Sequence, residues 1–325
     1  MRILEVNQND AGQRLDKFLS KSLKSMPTSL MYKLIRTKKI KVNRKRAEPK
    51  QMLEMGDTVQ CFISEEFFET EKTSDALLAV KPKLDILYED ENIMLINKPV
   101  GVLCHEDTEG NSNTLIFHVQ AYLAQSGEYD LSAEQSFAPS LCNRIDRNTS
   151  GIVIAAKNAA ALRDMNERIK CGEVKKKYLC AVHGSPKKKE STEEAYLVKD
   201  SKTNTVRIYT EKNKPQGAKR IKTGYRLIAE KNGLSLLEIR LYTGRTHQIR
   251  AHMEYLGNSL VGEGKYGQNA RDRELGYKHQ ALCSYSVTFD FEEKGSVLDY
   301  LSSKSVHISP EKIYFVTDLF GKVRI

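Results

Sequence analysis

The sequence predicts an α+β protein in two parts, and three observations carry that expectation. Apolar residues recur at helical spacing in some stretches, such as Leu15, Phe18, Leu19 and Leu23, while others are short β-branched runs, such as Ile152-Val153-Ile154. Paired apolar runs around a tight turn mark a hairpin, hence antiparallel pairing. Positive charge is concentrated at one end. Residues 1–64 hold 14 Lys or Arg against 6 Asp or Glu, although the 325-residue chain nets only +10. Charge so localised suggests a polyanion-binding module joined to a nearly neutral larger domain.

Composition narrows the class. Hydrophobic content of 40% with 29% charged residues fits a globular protein that buries a core. No apolar run approaches the roughly 20 residues of a membrane span. The first residues, Met1-Arg-Ile-Leu-Glu-Val6, lack a signal-peptide pattern, so a cytoplasmic protein is expected. The six cysteines form no C-x-x-C pair and read as scattered thiols of a reducing compartment.

Along the chain, residues 1–64 read as a compact α/β module. A helix follows Gly12 and Arg14, and a second has Thr28 or Ser29 as N-cap and Leu30, Met31, Leu34 and Ile35 on its inner face. Next comes Arg36-Thr-Lys-Lys-Ile-Lys-Val-Asn-Arg-Lys-Arg46, in which Ile40 and Val42 alternate with polar residues. It is expected to be a half-buried strand whose outer face carries Lys38, Lys39, Lys41, Arg44, Lys45 and Arg46 towards phosphates. Met55-Gly56-Asp57 turns into a strand over 58–63. Residues 65–83 lose periodicity and are expected to be a linker to a domain spanning 84–325.

That domain opens with a hairpin, Leu84–Tyr88 and Ile93–Ile96, stopped by Pro99. A helix is expected around Leu115–Leu123. Another is capped by Asn158, with Leu162, Met165 and Ile169 inward. Strands are expected over 174–182, 194–197, 205–209 and 234–243, and a helix capped by Thr246 ends at Gly257. Residues 290–325 read as tail strands and loops.

Two stretches carry chemistry. In Leu141–Lys157, Asp146 lies between Arg144 and Arg147, ahead of a turn at Asn148–Gly151 and a buried strand. Flanking guanidiniums favour the ionised carboxylate, yet an isolated R-x-D-R recurs by chance and by itself reads as a surface ion pair capping a strand. In Gly244–His252, His247 and His252 are five apart, so on a helix they diverge by roughly 140°. Zinc helices space their ligands four apart, and no metal is expected. His247 and Arg250 share a face, and with Arg245 they suit an anion at a helix N-terminus.

The N-terminal module resembles the αL RNA-binding motif known from a ribosomal small-subunit protein. The matching residues are Arg14-Leu-Asp-Lys-Phe-Leu19, Lys33-Leu-Ile-Arg36, Ile40-Lys-Val-Asn43 and Gly56-Asp57. The remainder resembles the RluA family of pseudouridine synthases through Ile96–His105, Asn143–Gly151 with Ala155-Ala-Lys157, Lys177-Tyr178, Thr243–His252, Gly262 to Gly267, and His279-Gln-Ala281. The resemblance implies a mixed, mainly antiparallel sheet flanked by helices and an enzyme that isomerises uridines in RNA without metal, redox or small-molecule cofactor. The substrate implied is large-subunit ribosomal RNA, with tRNA or a non-catalytic ribosome-assembly role as alternatives; a monomer is expected. It makes Asp146 the nucleophile, pairs Arg245 with it, stacks Tyr178 on the base and uses Arg144 to hold the uridine flipped out. Arg147, Lys98, His247 and Arg250 fall on substrate-binding positions. Asn143 and Glu263 depart from the family's usual His and Asp, which bears on target choice.

Overall fold

Two sheets organise the chain in the computed structural model, which describes residues 1–68, 77–106, 113–131, 133–267, 270–274, 276–292 and 294–325. The first sheet has the order β1-β4-β2-β3, built from Arg2–Glu5 (β1), Ile40–Val42 (β2), Lys45–Arg46 (β3) and Thr58–Cys61 (β4), all antiparallel. Helices Leu15–Ser22 and Thr28–Arg36 supply Leu15, Phe18, Leu19, Met31 and Ile35 to a core with Ile40, Val42 and Val59. Thr28 and Ser29 do not cap the second helix. Pro27 occupies the cap position without a side-chain bond, because its fixed φ already suits a helix start. Asn43 and Arg44 turn β2 into β3 with φ of +49° and +63°, the left-handed pair a two-residue hairpin requires. Asn43 steadies that turn by donating to Asp57 at 2.7 Å and accepting from Thr58 N–H at 2.9 Å. Part of the expected linker, 69–76, lies outside the described residues. Its first residues form a 3-10 turn, Glu65–Phe68, that buries Phe68 against the module's core.

The second sheet runs β11-β10-β12-β13-β9-β14-β8-β6-β5, with β15 on β14 and β7 on β8. Its strands are Ile86–Glu89 (β5), Ile93–Lys98 (β6), Ser140–Leu141 (β7), Ser150–Ala156 (β8), Val174–His183 (β9), Glu190–Asp200 (β10), Thr205–Tyr209 (β11), Lys219–Lys231 (β12), Leu234–Leu241 (β13), Leu282–Phe289 (β14) and Ser305–His307 (β15). All pair antiparallel except β14 with β8, which run parallel. The central strands are buried on both faces, so they read as continuous apolar runs. Side-chain alternation divides the core. Ile93, Leu95, Ile152, Ile154, Leu179 and Ala181 face helix Ala159–Cys171 and the C-terminal segment. Met94, Ile96, Val153 and Ala155 face helix Leu115–Gln125. Tyr178, Cys180 and Val182 pack with Ile249 and Met253 of helix Gln248–Tyr255.

As expected, Asn158 caps its helix, accepting from Ala161 N–H at 2.9 Å. Several other elements differ from the sequence expectation. Thr246 does not cap the helix after Gly244: the residue before that helix is His247, at φ +51°. Strand β12 has no counterpart in the sequence reading, because Lys219, Arg220, Lys222 and Arg226 hide its alternation. Residues 290–325 are part of the core rather than a tail. Leu298, Leu301, Ile308, Phe315 and Val316 are buried there, and Tyr314–Phe320 is a helix.

The parallel β8–β14 contact depends on one glycine. Gly151 sits at φ +111°, and a Cβ there would lie 2.2 Å from the Ser284 carbonyl oxygen. Gly151→Ala is therefore expected to cost about 3 kcal/mol or more. Gly127→Ala, also at positive φ but in open space, is expected to cost about 1–2 kcal/mol. Thermal unfolding of the two variants compares them; equal losses would exclude the close approach as the cause.

Candidate active site

The loop between β7 and β8 is held from beneath by a lysine. Lys98, at the end of β6, is fully buried. Its ammonium donates to the carbonyl oxygens of Pro99 (2.8 Å), Val102 (2.8 Å) and Arg147 (3.0 Å), using all three of its donors. Burial pulls it down to about 8, against the charges of Cys104 and Asp146. Gly101 N–H also donates to the Arg147 carbonyl at 2.9 Å, and Arg147 Nε donates back to Gly101 at 3.1 Å. Asn143 Oδ1 accepts from Ile154 N–H at 2.9 Å, tying the start of the loop to β8. Ile145 packs between the core patches under helices Leu115–Gln125 and Gln248–Tyr255.

The second helix supplies the partner. Arg250 Nη1 donates to Asp146 Oδ2 at 2.9 Å, while Nε and Nη2 make a two-pronged contact with Glu263 at 2.7 and 2.8 Å. Glu263 has no solvent exposure. Burial opposes the Arg250 charge, but Glu263 and Asp146 outweigh it and hold the guanidinium above its ordinary value. Among the described residues no group bonds Asp146 Oδ1, so one oxygen is clamped and the other is open. His247 Nε2 lies 3.9 Å from Asp146 Oδ2, and its Nδ1 is 2.7 Å from the Tyr266 hydroxyl. Burial lowers the His247 pKa, and Arg250 and Lys265 add to this against Asp146, favouring the neutral ring.

These groups line one cavity of about 1250 Å³. Asp146, Tyr178, Arg144, Arg147, Arg245, His247 and Arg250 all face it; Lys98 does not. Burial, with a smaller push from the Asp146 charge, moves the Tyr178 phenol up to about 12. Arg144 and Arg245 stand exposed at the rim. The pairing of Arg245 with Asp146 is thus corrected: the ion pair belongs to Arg250, because residue 245 precedes the helix and stands exposed, whereas buried residue 250 on the helix reaches Asp146.

The geometry fits what comparison with known proteins finds. Residues 92–255 match the model for RNA pseudouridylate synthases, and residues 13–59 match the S4 domain. The chain belongs to the RNA pseudouridine synthase family. It is 36% identical to an uncharacterised RNA pseudouridine synthase of Mycoplasma genitalium, covering 87% of this chain and 88% of that one. It is 30% identical to the ribosomal large subunit pseudouridine synthase C of Haemophilus influenzae, covering 93% and 91%. The fold is shared with human RNA pseudouridylate synthase domain containing 4, at a TM-score of 0.56 and 19% identity, over 78% of this chain and 96% of that one. The synthases are isomerases acting on RNA.

Its S4 domain carries a groove of about 630 Å³ lined by Arg14, Lys33, Arg36 and Arg46 among others. Buried Asp16 organises it, accepting from Arg14 and, at 2.9 Å, from the Tyr32 hydroxyl. Burial would raise the Asp16 carboxyl, but Arg14 and Tyr32 outweigh it and hold the group below its usual value. Lys38, Lys39, Arg44 and Lys45 stand exposed around the β2–β3 hairpin, and half-buried Lys41 lies over the Phe62 ring at 5.5 Å.

Three participants escaped the sequence reading. Glu263 and Tyr266 fall inside a recognised motif, but nothing local says that they hold Arg250 and His247. Lys176, two residues before Tyr178 on β9, lines the same cavity, and burial draws its ammonium to about 8. A period-two count from Tyr178 could have found it. On the same helix as Arg250, His252 is buried with Nδ1 3.0 Å from Thr223 Oγ1, and burial pulls it from 6.5 to about 4. The unfolded chain therefore takes up this proton first as pH falls. Stability is full above pH 6.5 and is lost between 6.5 and about 4, by roughly 3 kcal/mol at most. Urea unfolding of the protein and of His252→Gln across that range checks this; identical pH profiles would rule it out.

Proposed function

We propose that the synthase isomerises particular uridines of large-subunit ribosomal RNA, with Asp146 as nucleophile and the target base flipped into the cavity. One observation carries the reading: a carboxylate with one oxygen clamped by Arg250 and the other open to the cavity. A covalent bond from that oxygen, to sugar or base, splits one difficult step into two. The N–C glycosidic bond breaks, the uracil turns, and a C–C bond to the ribose forms, with one proton leaving the carbon and one joining the freed nitrogen. A glycoside hydrolase needs a second carboxylate across the bond. The nearby candidate, Glu263, is buried behind Arg250 and committed to it.

The other roles follow from position. Tyr178 stacks on the base; a phenol at about 12 stays protonated at neutral pH, so it is a donor there rather than a resident base. Arg144, exposed beside Asp146, fills the space left by the flipped nucleotide, whose unstacking costs a few kcal/mol. Arg147 and Arg245 at the rim suit phosphates. Lys98 acts through the loop it holds, not on substrate. Residues 1–64 form the RNA-binding module and 84–325 the catalytic domain. The names of the relatives at 30% identity support ribosomal RNA as substrate.

Asp146→Asn is expected to keep the fold and the affinity for ribosomal RNA and to abolish pseudouridine formation, assayed by mapping pseudouridines after incubation. Turnover in that variant would overturn the mechanism. Replacing Lys39, Lys41 and Arg44 together by Ala should reduce the slope of log affinity against log salt by about 2. A filter-binding titration in which the slope stays unchanged removes the hairpin from the interface.

A further inference from the structure

Where β13 ends, Tyr242 projects at the rim of the Asp146 cavity with 46% of its surface exposed. An exposed tyrosine is ordinary by itself; this one is held in place. Its N–H donates to the Lys222 carbonyl at 3.2 Å, and the Lys222 N–H donates to Thr243 Oγ1 at 2.9 Å. Thr243 Oγ1 in turn donates to Gln248 Oε1 at 2.9 Å, and Gln248 Nε2 donates to the Lys222 carbonyl and Thr223 Oγ1. The same buried glutamine begins the helix that carries Arg250. Tyr242 and the Asp146 clamp are thus fixed to one frame.

The ring lies over Gly224, where a Cβ would meet its Cε2 at 3.3 Å. The Arg240 guanidinium sits 4.9 Å from the ring centre and Lys222 Nζ 5.1 Å. Lys222 also pairs with Glu194 at 3.5 Å, whereas Arg240 has no ion pair among the described residues. A rigid exposed ring with two cations against it, one of them unpaired, is the composition of a nucleobase-stacking surface with phosphate contacts beside it. When a uridine is turned out of an RNA strand its neighbour loses a stacking partner, and such a surface replaces it.

We propose that Tyr242 and Arg240 form a shelf on which an unpaired nucleobase next to the target uridine stacks, with Arg240 and Lys222 taking its phosphates. The proposal rests on RNA occupying the Asp146 cavity. The test uses the full chain and an oligouridylate of about ten nucleotides carrying 5-iodouridine, crosslinked by ultraviolet light and mapped by mass spectrometry. Affinity is read by fluorescence anisotropy. The expected result is a crosslink at Tyr242, a loss of affinity of about tenfold in Tyr242→Ala, and a change within about twofold in Tyr242→Phe. Crosslinks confined to the Arg144–Asn148 loop, or unchanged affinity in Tyr242→Ala, overturn the shelf and leave the cavity reading standing. No crosslink anywhere in the cavity overturns both.

Discussion

The site depends on a guanidinium that is buried and still charged. Removing an arginine from water is costly, and a pair recovers that cost only with close geometry and further hydrogen bonds. Arg250 meets both conditions through Glu263, whose two oxygens match the planar fork, leaving one N–H directed at Asp146. A lysine, with a single point of charge on a flexible stem, could not hold two carboxylates on opposite sides in this way. Three separate segments meet at this one group: the β7–β8 loop, helix Gln248–Tyr255 and the 262–266 turn.

Each segment is braced by a buried polar or small residue rather than by apolar contact alone. Lys98 clamps the carbonyls under the Asp146 loop, and Gln248 ties the start of the helix to β12. At the turn, Gly262 approaches the His279 carbonyl so closely that a Cβ would lie 2.1 Å from it. Gly151 permits the corresponding approach between β8 and β14. Unpaired buried polar groups are expensive, so these contacts leave the loops few alternative positions. The Asp146 carboxylate is held in place by the cost of every other arrangement.

The S4 domain joins this frame through polar contacts. Asp10, wholly buried, accepts from Ser136 N–H at 3.0 Å, and Asn9 accepts from the Ala159 N–H at 3.0 Å at the start of a catalytic-domain helix. The module thus carries a groove lined by Arg14, Lys33, Arg36 and Arg46, and the larger domain a cavity rimmed by Arg144 and Arg245.

The sequence by itself determined the central strands, most helices and the family of the enzyme. Apolar period fixed the central strands, Asn158 marked its helix, and Asp146 and Tyr178 stood inside ordered motifs. It also located the basic hairpin, because a run of like charge is visible without any fold. Tertiary structure decided what depends on contacts between distant segments. Arg250 and not Arg245 pairs with Asp146, since helix position rather than motif membership sets reach. Lys98 clamps the carbonyls of the Asp146 loop, because its strand ends beneath that loop. Strand β12 and the C-terminal helix were hidden because their order comes from neighbours: one alternates basic residues that only a paired strand arranges, the other buries apolar residues that only the assembled sheet can cover.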